Sequence, residues 1–139
     1  NMSKDWVQDI NKMHEKYGVR PAVKKMTRSD LRRFLNFRVK FLEEELNETK
    51  LASDKEAFVD AEELVDGLID LCVVAIGTLD AFGVDANKAW DAVLEANMNK
   101  EVGVKETRPN PLGLPDLIKP KGWVAPSHEG NYGDLKNIS

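Results

Sequence analysis

FVDAEELVDGLIDLCVVAIGTLDAF, residues 58 to 82, decides the fold. Its periodicity predicts one helix over about residues 58 to 82, ended by Gly83. The first half is amphipathic. The second half, residues 68 to 79, is apolar nearly all round. A helix with no polar face to offer water belongs at the centre of a bundle. Carboxylates nevertheless enter it, among them Glu62, Glu63, Asp66 and Asp70. Asp70 stands between Ile69 and Leu71, and a carboxylate carried into such surroundings needs a partner or a metal.

The helix before it is predicted to start with Ser29 as cap and Asp30 in its first turn. Leu31, Phe34, Leu35, Phe37, Phe41, Leu42 and Leu46 give it a broad apolar face, and it should end near Asn47 or Thr49. The polar residues 50 to 56 would join the two as antiparallel neighbours. Further out, Ser3 reads as the cap of a helix over about residues 4 to 17, with Trp6, Ile10 and Met13 at helical spacing and Gly18 ending it. Residues 18 to 27, with Pro21, read as a loop. Asp85 opens a short helix that carries Ala89, Trp90, Val93 and Leu94 to about residue 100. Beyond it stand Pro109, Pro111, Pro115, Pro120 and Pro126, which predict an irregular tail. Leu112, Leu114, Leu117, Ile118 and Trp123 imply that this tail packs on the domain or on a neighbouring subunit. No strand-period pattern stands out. The expected fold is all-α: a four- to five-helix bundle over residues 1 to 100, with the tail over 101 to 139.

The length of 139 residues fits one domain. A net charge of −4 disfavours a nucleic-acid-coating role. Residues 20 to 40 are basic, through Arg20, Lys24, Lys25, Arg28, Arg32, Arg33, Arg38 and Lys40 against Asp30, and the next thirty are acidic. Cys72 is the single cysteine; it cannot form an internal disulfide and reads as core in a reducing cytoplasm. The mixed polar N-terminus lacks a signal-peptide pattern, and Asn1 ahead of Met2 reads as an added residue. The longest apolar run, residues 71 to 81, is too short for a bilayer and contains Asp80, so no membrane partner is expected.

The chemistry concentrates in two acidic clusters. Glu45 and Glu48 share a helix face, as do Glu44 and Glu48. Glu63 and Asp66 repeat the three-residue spacing, and Asp70 lies one turn on. Antiparallel packing would make these carboxylates converge. Crowded carboxylates repel unless neutralised, and Mg²⁺ takes such oxygen ligands and bridges them to phosphates. The competing explanations are solvated helix faces, and salt bridges from Asp66 and Asp70 to the basic stretch. A di-iron site would want Glu-x-x-His, but Asn11 and Ala125 precede His14 and His128 at that spacing. No zinc, P-loop, dinucleotide or nucleophile-elbow motif occurs. His14 is expected at the surface.

ELNE (Glu45 to Glu48) followed after fourteen residues by ELVD (Glu63 to Asp66) resembles the E-x-x-E…E-x-x-D signature of the all-α nucleotide pyrophosphohydrolases. That superfamily includes MazG, the all-α dUTPases, the dCTP pyrophosphatases and the phosphoribosyl-ATP pyrophosphohydrolases. FLEEELNE and AEELVDGLIDL resemble its first and second motifs. NMNK (Asn97 to Lys100) resembles the N-M-S-K element of short MazG-like members, many of them phage-encoded, and KPKGWVAP resembles their usual ending. The resemblance covers about residues 28 to 126. Gly67 departs from it, standing where many relatives carry a larger apolar residue, and the N-terminal helix with Trp6 has no counterpart in the core signature.

The resemblance implies hydrolysis of a nucleoside triphosphate to the monophosphate and pyrophosphate, with water as nucleophile. It implies Mg²⁺, with Mn²⁺ able to substitute, held by Glu45, Glu48, Glu63 and Asp66, with Glu44 supporting the ligands or serving as base. Asn97 and Lys100 would contact the phosphates. It further implies a homodimer or homotetramer in the cytoplasm, the host's if phage-encoded. Short members include the MazZ type, which turns dGTP into dGMP, so dGTP is the first substrate candidate. Two rivals stand against the enzyme: a non-catalytic nucleotide-sensing or regulatory bundle, and a structural adaptor. Retention of all four signature carboxylates disfavours the sensor, and the adaptor predicts no metal dependence of stability.

Overall fold

A computed structural model describes residues 5–56, 58–108 and 110–139. The chain is mainly helical, as its periodicity demands. It divides into two compact units: Asn1–Ala86 with Tyr132–Ser139, and Asn87–Asn131. Among the described residues no single helix is long and apolar enough to cross a membrane.

The first unit begins with α1, Trp6–Tyr17. Ser3 lies outside the described residues. Asp5 caps the helix, its side chain accepting from the Gln8 N–H. Gly18, at φ 66°, ends it in the left-handed conformation that favours glycine. The expected loop over residues 18 to 27 is instead largely a short helix, α2, Val19–Lys24. Pro21 is tolerated there because N–H groups in a first helical turn have no intrahelical acceptor.

Helix α3 runs Arg28–Ser53, longer at both ends than its sequence predicts. The cap is Thr27, accepting from the Asp30 N–H, and Ser29 is already inside. Two hydroxyls two residues apart suit the role about equally, and the extended backbone at Thr27 selects it. The helix continues past Thr49 because Thr49 and Ala52 are buried. Helix α4, Ala61–Ala81, is capped by Asp60 through the Glu63 N–H. Gly83 follows it at φ 75°.

Helices α3 and α4 make the principal packing of this unit, and their pairing is antiparallel. Thr49 meets Gly67, Arg38 meets Val74, Gly77 and Thr78, and Phe34 meets Phe82. Helix α1 lies along α4 in the same sense, its later residues Asn11 and His14 reaching Asp80 near the end of α4. His14 is therefore not at the surface. It is 6% exposed, with Nδ1 2.8 Å from Asp80 Oδ2, while the Asn11 amide donates to Oδ1 at 3.0 Å. The buried carboxylate at Asp80 is thus satisfied from α1 on both oxygens.

The core of this unit gathers Val23, Leu31, Ala81 and Phe82, with Leu135 and Ile138 from the chain's end packed against it. That end is a 3-10 helix, Gly133–Ile138. Arg20 clips it down, donating to the Ala81 carbonyl at 2.6 Å and to Asp134 Oδ2 at 2.7 Å.

The second unit contains nearly all of α5, Ala86–Met98, and two short strands. Strands β1, Glu101–Gly103, and β2, Asp116–Ile118, pair antiparallel with Val102 opposite Leu117. They correct the expectation of a strand-free tail; three residues are too few to show a period. Arg108 donates to Asp116 at 2.7 Å and Trp123 Nε1 to the Ala96 carbonyl at 2.7 Å.

Candidate active site

Glu45 and Glu48 are one helical turn apart on α3, and Asp66 and Asp70 one turn apart on α4. The close approach of Thr49 and Gly67 lies beside all four. A Cβ on Gly67 would stand 2.6 Å from Thr49 Oγ1, so only glycine lets the two helices come this near. Thr49 Oγ1 in turn donates to the Glu45 carbonyl at 2.8 Å. The absence of a larger residue at 67 is therefore what presses the first acidic turn of α3 against the second acidic turn of α4.

The electrostatic result is legible at Glu45. One of its oxygens, Oε2, is buried without a hydrogen-bond partner. Its carboxyl is held above the usual range, first by burial, then by the negative charges of Glu48 and Asp70, by a hydrogen bond with Glu48, and by Asp66. Asp66 and Asp70 do not pair with the basic stretch: among the described residues no Lys or Arg nitrogen forms a salt bridge with either. The rival explanation for these aspartates therefore finds no support. Arg38, from that stretch, spends its guanidinium on Thr78 Oγ1 and the Val74 carbonyl, both at 3.0 Å. Its burial there lowers its pKa.

The group brought together is Glu45, Glu48, Asp66 and Asp70. Asp70 enters it although the expected ligand set omits it; its place one turn after Asp66 was the available signal. Glu63 lies one turn before Asp66, exposed, with Oε2 3.4 Å from Lys55 Nζ. Glu44 is exposed on α3. Among the described residues no three or more of these side chains stand close enough together to hold a metal ion. The donors are oxygen atoms only, the kind a hard divalent cation takes, and one of them, Glu45 Oε2, is buried with nothing to accept from.

Asn97 and Lys100 belong to the second unit, at the end of α5, where the Asn97 carbonyl accepts from the Lys100 N–H at 3.1 Å. Lys100 Nζ stands 5.3 Å from the centre of the Trp123 ring, and Lys119 Nζ 5.0 Å from it. Trp123 thus gathers two ammonium groups by cation–π attraction, a cationic pair the NMNK element alone does not reveal.

Sequence reasoning also passed over an apolar cavity between α1 and α4, which Trp6 helps to line. Spacing marks which residues of a helix are apolar but not which of them leave a gap.

A family model described as phosphoribosyl-ATP pyrophosphohydrolase matches residues 20–97, more than half of the chain. It takes in both acidic turns and leaves α1 outside. No curated protein matches the chain.

Proposed function

We propose that this chain, which belongs to the phosphoribosyl-ATP pyrophosphohydrolase family, hydrolyses a nucleoside triphosphate to the monophosphate and pyrophosphate with Mg²⁺, dGTP being the first substrate. Family membership carries the coarser statement, a pyrophosphohydrolase acting on nucleotide triphosphate-like substrates. The observation that supports the Mg²⁺ requirement is the crowding of carboxylates from two helices around the unpartnered Glu45 oxygen, and dGTP rests on the resemblance to short MazG-like members.

Glu45, Glu48, Asp66 and Asp70 would hold the cation, with Glu63 completing the set expected from the signature. Bound Mg²⁺ supplies charge neutralisation on phosphoryl oxygens and lowers the pKa of a water. The chain's own groups do the rest. Glu44, solvent-facing on the turn that carries Glu45, accepts the proton of the attacking water. The water oxygen bonds to phosphorus as the α–β anhydride bond breaks, and pyrophosphate leaves. Lys100 and Asn97 bind phosphate oxygens, Lys100 as a point charge.

The same reading includes a homodimer or homotetramer working in the cytoplasm. Phe37, Leu46, Leu51, Val65 and Leu68 leave much apolar surface exposed on α3 and α4, which supports self-association. Sedimentation equilibrium that returned a monomer at micromolar concentration would remove the oligomer.

The test is monophosphate and pyrophosphate release from a panel of ribo- and deoxynucleoside triphosphates with Mg²⁺ or Mn²⁺. Phosphoribosyl-ATP belongs in that panel, favoured by the family match itself. Monophosphate plus pyrophosphate, lost in Glu48→Gln, is the expected result. A correctly folded Glu48→Gln protein with normal turnover would sink the site.

A further inference from the structure

One of the four signature carboxylates is engaged by a cation of the chain's own. Glu63 Oε2 stands 3.4 Å from Lys55 Nζ. Among the described residues this is the only salt bridge that any of Glu45, Glu48, Glu63 and Asp66 makes. Lys55 belongs to the connection between α3 and α4, and its backbone is fixed there. Its N–H donates to the Phe58 carbonyl and its carbonyl accepts from the Phe58 N–H, both at 2.9 Å. The Asp60 N–H donates to the Ala52 carbonyl, also at 2.9 Å. Glu63 is fixed from the other side, in the first turn of α4, where its N–H donates to the Asp60 side chain that caps the helix. The tight connection thus keeps an ammonium group beside the first acidic turn of α4, one turn before Asp66.

We propose that Lys55 is an exchangeable counter-ion of the site: it holds Glu63 while no cation is bound, and it transfers to a phosphate oxygen of the nucleotide when Glu63 turns to the cation. The inference rests on the hydrolase reading above and deepens it, adding a phosphate contact from the connection between α3 and α4. The pair is weak enough to exchange. Its side chains are 40% and 61% exposed, and water and salt screen exposed pairs. The backbone bonds, not this pair, hold the connection in place. Lysine suits the role, since it carries a compact charge with three donors on a flexible four-carbon stem.

Charge sets the direction of the exchange. Without a cation the acidic turns lack counter-charge, as the unpartnered Glu45 Oε2 shows, and Lys55 is the ammonium that reaches the signature set. While it stays there, Lys55 competes with a divalent cation for Glu63. A bound cation makes the ammonium surplus on Glu63, and the phosphates bring fresh negative charge to the same place. Neighbouring oxygens on one Mg²⁺ lie about 3 Å apart, at ligand distances of about 2.1 Å. A phosphate oxygen beside Glu63 on one ion therefore lies within a swing of the lysine stem.

The test separates binding from turnover. Mn²⁺ is titrated calorimetrically, without nucleotide, into the wild type, Lys55→Gln, Glu63→Gln and the double variant. Lys55→Gln should tighten Mn²⁺ about two- to fivefold, the worth of an exposed pair. The same change should have no effect in the Glu63→Gln background. Lys55→Arg, which keeps the pair, should bind Mn²⁺ as the wild type does. Inorganic tripolyphosphate with saturating Mg²⁺, which carries linked phosphates and no base, is titrated next. Lys55→Gln should weaken it about tenfold. Opposite signs in the two titrations mark the exchange, whereas a purely structural pair would move the melting temperature and neither affinity. An unchanged Mn²⁺ affinity in Lys55→Gln, an equal gain in the Glu63→Gln background, or an unchanged tripolyphosphate affinity would overturn the proposal. Triphosphate turnover with any of those results removes the counter-ion and leaves the hydrolase. Both expected shifts without turnover of any triphosphate do the reverse.

Discussion

Substituting Gly67 by alanine tests the link between helix packing and the acidic site. The added Cβ would meet Thr49 Oγ1 at 2.6 Å and the Thr49 Cα and Cβ at 3.5 Å. The last two are ordinary contacts, so the hydroxyl is the obstacle. It cannot move away freely. Thr49 is β-branched, and turning Oγ1 aside breaks its bond to the Glu45 carbonyl and brings the methyl or the hydrogen of the same carbon into the gap. Overpacking of this kind costs about 1–3 kcal/mol. Alanine recovers about 1 kcal/mol of helix propensity lost at glycine. The net expectation is a loss of roughly 0–2 kcal/mol, measured by urea unfolding. The decisive quantity is the coupling to Thr49→Ala, which removes the hydroxyl. The double variant should be more stable than the sum of the singles predicts, by about 1–2 kcal/mol. Displacing α4 from α3 should also weaken the cation, seen as a smaller rise in melting temperature on adding Mg²⁺. Additive single effects, or a Gly67→Ala protein that gains the full propensity term and keeps its Mg²⁺ response, would refute the claim that this glycine sets the approach of the two acidic turns.

Three other outcomes are expected. Because the folded-state Glu45 carboxyl titrates above its ordinary value of 4.5, the folded chain holds more protons than the unfolded one above that pH. The metal-free protein should therefore lose stability as pH rises from about 4.5 through the raised value, Glu45→Gln should flatten that fall, and Mg²⁺ should offset it; a melting temperature independent of pH across this window in the metal-free wild type would contradict the crowding. Asp134→Ala removes one of the two acceptors of Arg20, and denaturant unfolding should show a loss of about 1 kcal/mol; an unchanged midpoint would show the C-terminal clip to be idle. Lys100→Ala should raise KM about tenfold with little change in kcat, and an unaltered KM would take Lys100 out of the phosphate site.

Much of this was legible in the chain itself. The 3.6-residue periodicity of residues 58 to 82, apolar all round in its second half, specifies a central helix wherever it folds, because no other surroundings satisfy it. The signature carboxylates followed from spacing and resemblance, and the helical class from periodicity. Boundaries were less legible. Thr27 and Ser29 compete for one cap, and α3 outruns its pattern because Thr49 and Ala52 find burial against another element. His14 looked like a surface residue because its partner, Asp80, is sixty-six positions away.

The tertiary structure decided what depends on distance between helices. It placed Asp70 with Glu45, Glu48 and Asp66, paired Glu63 with Lys55, and left Glu45 Oε2 buried without a partner. It also turned Gly67 from a departure into the point of closest approach. Periodicity fixes which residues share a face of one helix, because that is a property of the helix alone. Which faces meet, how closely, and where a cavity remains depend on side-chain volumes from segments far apart in the chain, and those are set only when the helices pack.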